Sequence, residues 1–130
     1  DFAFSGLKSA VLQLAAREAK AGRELNYADL AYAFQETALG TLINKTLKAV
    51  NEYQVKQLVL AGGVAANSRL RARLSEEIKA YPEVHLTIPP LWCCTDNAAM
   101  IGAAGDVYYR HGVKADLGIS ATPCYELEQI

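Results

Sequence analysis

Paired glycines follow a short apolar run near the middle of the chain. The run is Gln57–Ala61, and Gly62 and Gly63 come directly after it. Glycine lets the backbone approach a ligand closely, and the helix N-terminus beyond such a turn offers free N–H groups to an anion. Asn67, in the first turn of the next predicted helix, carries an amide that suits a ribose hydroxyl or a base edge. A tight turn without a ligand and a simple helix cap are the alternatives for these residues.

A second polar cluster follows the next predicted strand. It contains Cys93 and Cys94 and then Thr95, Asp96 and Asn97. A carboxylate at a strand end can ligate a metal or act as a base, whereas the same three polar residues also suit a helix N-terminus. Neighbouring thiols bond to each other only with strain, and no histidine partner is apparent. We therefore expect the two cysteines to serve packing.

Hydrophobic periodicity predicts the helices and strands that position these clusters. Ser5 and Thr95 are predicted to cap the first and last helices. The predicted elements are a short strand at Phe2–Phe4, helices from Gly6 to Gly22, from Asn26 or Asp29 to about Glu52, from Ala66 or Asn67 to about Ala80 and from Thr95 to Gly112, and strands at Gln57–Gly63 and Val84–Ile88.

The order strand, helix, strand, helix predicts an α/β fold with parallel strands. Ligands in such sheets bind beyond the carboxyl ends of the strands, so we expect both polar clusters at that edge. The second helix carries two apolar faces, one with Leu30 and Phe34 and the other with Leu39 and Ile43. That pattern predicts a helix packed on more than one side.

Composition sets the broad class of protein. The chain has 130 residues, which is long enough to bury a hydrophobic core. Its formal net charge of -1 gives no overall electrostatic attraction to nucleic acid or to membranes. Its 3 cysteines show no zinc-site spacing, which favours reduced thiols in the cytosol. No apolar run approaches the ~20 residues of a membrane span. Arg69, Arg71 and Arg73 do not form one stripe, so a solvated face is expected there.

Three segments resemble the TsaD family, once labelled O-sialoglycoprotein endopeptidases. They are Asp1–Lys8, Ala61–Arg71 and Cys94–Ile101, in the family's order. The resemblance covers nearly the whole chain and matches the C-terminal part of the family. It implies the C-terminal lobe portion of an actin/sugar-kinase/Hsp70-like ATPase fold. We therefore expect residues 1–130 to be a single partial domain that lacks an N-terminal lobe, in keeping with the abrupt start at Asp1.

The resemblance also implies an activity and a set of site residues. Family members transfer threonylcarbamoyl from threonylcarbamoyl-AMP to the exocyclic amine of the adenosine next to the anticodon in tRNA. Their bacterial partners are a smaller paralogue (TsaB) and a P-loop ATPase (TsaE). The resemblance also implies a cytoplasmic protein without a membrane partner. By position in the family motifs, Asn67 contacts the adenylate, Gly62 and Gly63 line the nucleotide, and Asp96 ligates a divalent metal, iron or zinc.

One departure from the family pattern limits this expectation. The family's other metal ligands are two histidines of a His-x-x-x-His helix, and this chain has no such motif. One carboxylate is a weak site for a transition metal, so we expect these residues alone to bind metal poorly and catalyse nothing. The rival assignments are an ATPase or kinase lobe of the same fold and a non-catalytic paralogue. Retention of Asn67 and Asp96 argues against the paralogue.

Overall fold

The computed structural model describes residues 3–118 and 120. The chain divides into two compact units, Asp1–Cys94 and Thr95–Ile130, and each unit is described by itself. The expectation of a single partial domain over residues 1–130 stays a prediction. Among the described helices, none is both long enough and apolar enough to cross a membrane.

Two long helices open the first unit. Helix α1 spans Ser5–Lys20, and helix α2 spans Tyr27–Tyr53. Of the two predicted starts of α2, Asn26 and Asp29, Asn26 is the N-cap, because its side chain accepts hydrogen bonds from the backbone of the first turn. The predicted cap at Ser5 is wrong: α1 begins one residue earlier than expected, and its N-cap is Phe4, with no side-chain hydrogen bond.

The predicted strand at Phe2–Phe4 is also wrong, because Phe4 is not extended. Phe4 has a helical backbone (φ −97°, ψ −8°), and its carbonyl accepts the first helical hydrogen bond from Lys8 at 3.0 Å. The first turn of α1 therefore draws Phe4 out of an extended conformation. Phe2 lies outside the described residues.

Two parallel strands form the sheet of the first unit. Strand β1 spans Gln57–Val59 and strand β2 spans His85–Thr87, with Leu58 opposite Leu86. Helix α3, Ser68–Glu77, lies between them in sequence. The predicted α/β class and parallel pairing are confirmed. Both strands are shorter than predicted because the apolar runs continue past the residues that share ladder hydrogen bonds.

The core lies between α2 and α3. Leu39 and Ile43 of α2 are buried against Leu70 and Leu74 of α3. Leu30 and Phe34 on the other face of α2 line an apolar groove with α1. The prediction that α2 packs on two sides is confirmed. Further partly buried side chains complete the core: Leu42, Leu47, Leu58, Leu60 and Leu86.

The second unit contains helix α4, which spans Ala98–Arg110. The predicted cap at Thr95 is wrong, because Asn97 occupies the N-cap and accepts a hydrogen bond from the Met100 amide at 3.2 Å. Gly112 follows the helix with a φ of +78°, so the predicted end of the helix near this glycine is confirmed.

Candidate functional site

The turn after β1 is built on Gly62. Its backbone has φ +87° and ψ 174°, a conformation that is essentially restricted to glycine. The Gly62 carbonyl accepts a hydrogen bond from the Ala65 amide at 2.9 Å and so starts a 3₁₀ turn over Gly63–Ala66. Ala65 is buried and anchors the turn to the core of the unit. The tight turn therefore explains why position 62 is glycine.

Gly63 has no comparable backbone reason to be glycine. Its φ is negative, unlike that of Gly62, so other residues could adopt its conformation. A Cβ atom at Gly63 would meet no heavy atom of the described structure within 4 Å, and the same holds at Gly62. The backbone at both positions therefore borders open space into which a ligand could fit closely.

Asn67 caps the helix that follows the turn. Its Oδ1 accepts a hydrogen bond from the Leu70 amide at 2.9 Å, and its Nδ2 donates to Gln35 Oε1 on α2 at 3.2 Å. The capping role considered from the sequence is therefore present. A carboxamide has a second N–H and a second lone pair, so half of its hydrogen-bonding capacity remains after these two bonds. Its contact with an adenylate stays a prediction.

Arg71 ties the turn after β1 to the segment after β2. Its Nε donates to the Ala65 carbonyl at 2.6 Å, and its Nη2 donates to the Pro89 carbonyl at 2.6 Å. The same Nη2 lies 3.1 Å from the sulfur of Cys94. The expectation of a solvated face is wrong for Arg71 and Arg73, which are half-buried, whereas Arg69 is exposed. The sequence signal for the separate partners of Arg71 was its position, since it points away from the face shared by Arg69 and Arg73.

Arg69 and Arg73 both pair with the side chain of Glu36 on α2. Arg69 donates to both carboxylate oxygens, at 2.7 and 3.1 Å, and Arg73 lies 3.3 Å from one of them. The hydrogen bond from Arg69 holds the pKa of the Glu36 carboxyl below its ordinary value; desolvation acts the other way, and the charges of both arginines lower it further. These ion pairs fasten α3 to α2.

The two cysteines serve packing, as expected. Cys94 is buried, and its thiol faces the Pro90 carbonyl at 3.6 Å. Cys93 is half-buried, and both thiols are free. The contact between Cys94 and Arg71 gives this packing a further function, because it fixes the segment after β2 to the same guanidinium that holds the turn after β1.

Asp96 belongs to the second unit. It is exposed, and it directly precedes Asn97, whose side chain caps α4 and also donates to the Thr95 carbonyl at 2.9 Å. Helix α4 has no acidic residue in its first turn, so it does not use the Asp96 carboxylate there. The structure thus groups Gly62, Gly63 and Asn67 in the first unit and places Asp96 in the second.

The donor set for a metal is incomplete in the part of the chain that the structure describes. No group of three or more His, Cys, Asp or Glu side chains there is arranged to hold an ion. Zinc and iron sites of proteins use three or four protein ligands, so Asp96 by itself does not fit such a centre. Its role as a metal ligand stays a prediction.

Comparisons with known proteins identify the family to which the chain belongs. Residues 1–103 match the family model described as TsaD: tRNA N6-adenosine threonylcarbamoyltransferase. The chain is 50% identical over 128 residues to a protein of Ligilactobacillus salivarius and 50% identical over 127 residues to one of Geobacillus kaustophilus. Both relatives are named tRNA N6-adenosine threonylcarbamoyltransferase; each alignment covers 98% of this chain and 37% of the relative. The chain therefore belongs to the TsaD family.

Proposed function

We propose that the complete protein carrying this chain transfers a threonylcarbamoyl group to an adenosine of tRNA. The donor is threonylcarbamoyl-AMP, and the acceptor is the exocyclic amine of the adenosine next to the anticodon. A new bond joins this nitrogen to the carbamoyl carbon, the bond from that carbon to the AMP phosphate oxygen breaks, and the amine loses a proton. Supporting the proposal are the family match over residues 1–103 and relatives of that name at 50% identity.

The observation that carries the proposal is the open backbone at Gly63. The described protein itself does not require glycine there, because φ is negative and a Cβ would meet nothing within 4 Å. A ligand lying on the backbone would require it. In the proposed site, Gly62 and Gly63 form the floor under the adenylate.

Asn67 and the N-terminus of α3 complete the proposed adenylate site beside Gly62 and Gly63. The second N–H and second lone pair of the Asn67 amide are available to the adenylate while its cap and its bond to Gln35 are kept. Asn67 already caps the Leu70 amide of the first turn of α3, and the positive end of the helix dipole there favours an anion such as the phosphate of AMP.

Asp96 is proposed as a single ligand to an iron or zinc ion, with the remaining ligands supplied from outside this chain. The ion would supply Lewis-acid chemistry when bound. The proposal extends to the C-terminal lobe of an actin/sugar-kinase/Hsp70-like fold, to TsaB and TsaE as partners, and to a cytoplasmic location. These residues alone are proposed to bind metal poorly and to be inactive.

The proposed function is tested by mass spectrometry of tRNA nucleosides. The complete protein, with its partners and threonylcarbamoyl-AMP, is expected to form threonylcarbamoyladenosine in tRNA. Asp96→Ala is expected to abolish the product. Asp106→Ala is the matched control, because this carboxylate pairs on the surface of α4 with Arg110 at 2.9 Å, an exposed pair of small energetic value.

The outcomes of this experiment separate the proposed function from its alternatives. Loss of product in Asp96→Ala with full activity in Asp106→Ala supports the transferase and a requirement for Asp96, and a lower metal content of the purified Asp96→Ala protein then distinguishes a metal ligand from a base. Normal activity of Asp96→Ala overturns the role of Asp96. A wild-type protein that modifies no tRNA but hydrolyses ATP when assayed without its partners indicates the ATPase or kinase lobe instead, and one without either activity indicates the non-catalytic paralogue.

A further inference from the structure

One guanidinium joins the two loops at the carboxyl ends of the strands. Arg71 is half-buried, and it contacts the carbonyl of Ala65, the carbonyl of Pro89 and the sulfur of Cys94. The two carbonyl contacts are both 2.6 Å long. Ala65 sits inside the 3₁₀ turn Gly63–Ala66, so the first contact acts directly on the segment proposed to carry the adenylate.

The chemistry of this contact requires arginine. A guanidinium is planar and presents five N–H donors in a fixed fork, so it can serve acceptors on two separate loops at once. A lysine in the same place keeps the charge but lacks the fixed fork, because its ammonium is a compact point charge on a flexible stem. Hydrogen bonds that involve an ionised donor are also about twice as strong as neutral ones.

The neighbouring arginines on α3 do something different. Arg69 and Arg73 contact the side chain of Glu36 and fasten one helix to another. Arg71 instead binds backbone carbonyls in two loops, one of which is the turn between Gly63 and Asn67. Helix–helix attachment and loop attachment are thus divided between residues on the same helix, which supplies a matched control.

We propose that Arg71 is a positioning residue, whose guanidinium fixes the height and orientation of the backbone from Gly62 to Asn67 beneath the adenylate. This inference rests on the proposed function for the identity of the ligand. Its geometric part, that the loop conformation depends on Arg71, stands apart from that function. If this backbone shifts, the adenylate is bound more weakly in the ground state and in the transition state by the same amount. KM therefore rises while kcat changes little.

The kinetic test uses the complete protein with Arg71→Met, Arg71→Lys and the control Arg69→Met. In Arg71→Met we expect KM for threonylcarbamoyl-AMP to rise about tenfold, with kcat within about twofold of wild type. The KM of Arg71→Lys is expected to fall between those of wild type and Arg71→Met, because the charge is restored without the fixed fork of donors. Arg69→Met is expected to keep the wild-type KM, since its partner Glu36 lies on α2.

A second readout needs no ligand or activity. Hydrogen exchange of the Ala65 and Asn67 amides, which bond to the carbonyls of Gly62 and Val64, reports directly on the 3₁₀ turn. Exchange there is expected to speed up about tenfold in Arg71→Met and to stay unchanged in Arg69→Met, with the exchange of α2 unaltered in Arg71→Met.

Failure of this inference and failure of the proposed function give different results. An unchanged KM and unchanged exchange in folded Arg71→Met overturn the positioning role while leaving the transferase intact. A wild-type protein that modifies no tRNA overturns the proposed function, and the exchange experiment then decides the role of Arg71 by itself. If Arg71→Met does not fold, a wild-type KM in Arg71→Lys overturns the inference.

Discussion

Asn67 allows the capping role and the ligand role of one side chain to be measured separately. Replacing it by alanine removes the cap on the Leu70 amide and the bond to Gln35, at 2.9 and 3.2 Å respectively. Loss of an Asn cap costs about 1 kcal/mol, and loss of a half-buried neutral hydrogen bond costs about 1 kcal/mol more. Asn67→Ala should therefore destabilise the start of α3 by about 2 kcal/mol.

Serine provides the matched comparison, because it caps helices about as well as asparagine. Asn67→Ser should keep the cap and lose only the bond to Gln35, so it should cost about 1 kcal/mol. Native-state hydrogen exchange of the Leu70 amide in the complete protein measures this local stability directly. We expect exchange to be roughly fivefold faster in Asn67→Ala than in Asn67→Ser.

Binding of the adenylate should follow a different order. Both variants lose the second amide N–H, so both should bind threonylcarbamoyl-AMP about tenfold more weakly than wild type. Equal exchange rates at Leu70 in the two variants would refute the capping argument. Normal binding by Asn67→Ser would refute the ligand role and leave Asn67 as a helix cap.

Three further predictions follow from single positions. Gly62→Ala should lower the free energy of unfolding by about 1–3 kcal/mol in a urea titration because of its φ of +87°, and an unchanged midpoint would contradict the turn geometry. Glu36→Gln should lower the melting temperature at pH 7 and make the melting temperature fall less steeply in acid. The reason is the lowered pKa of Glu36 in the folded state: its carboxylate stabilises the protein fully above the ordinary pKa of 4.5, and this stabilisation is lost as the pH drops through the lower pKa of the folded state. A variant as sensitive to acid as wild type would contradict that pairing. Ile43→Ala should cost about 2–5 kcal/mol in the same titration, because Ile43 is fully buried against α3, and a loss below about 1 kcal/mol would contradict the assigned core.

Local signals in the sequence predicted much of the first unit. The glycines after an apolar run, the asparagine caps and the helical spacing of leucines act within a few residues. They yielded Asn26 as one of two possible starts of α2, the turn at Gly62 and the parallel strand order. The ends of elements were less predictable. Thr95 and Asn97 are both good caps by residue type, and the choice of Asn97 depends on where the first turn of α4 closes.

Long-range contacts were not predictable from local patterns. The bond from Arg71 to Pro89 joins residues 18 positions apart, and the pairing of Arg69 with Glu36 spans 33 positions. Charge and spacing showed which arginines share a face of α3 but not what lies opposite that face. The buried Cys94 beside Arg71 shows the same limit, because packing was expected and its partner was not.

The central claim is that the open backbone after β1 is the floor of an adenylate site, and Gly63→Ala tests it most directly. In the complete protein this variant should melt no lower than wild type, because the φ of Gly63 is negative, the added methyl meets nothing within 4 Å, and alanine restricts the unfolded chain more than glycine does. Calorimetry with threonylcarbamoyl-AMP should show Kd raised at least about tenfold, or ~1.4 kcal/mol, whereas the control Gly6→Ala in α1 should bind normally. An unchanged Kd in folded Gly63→Ala would contradict the account.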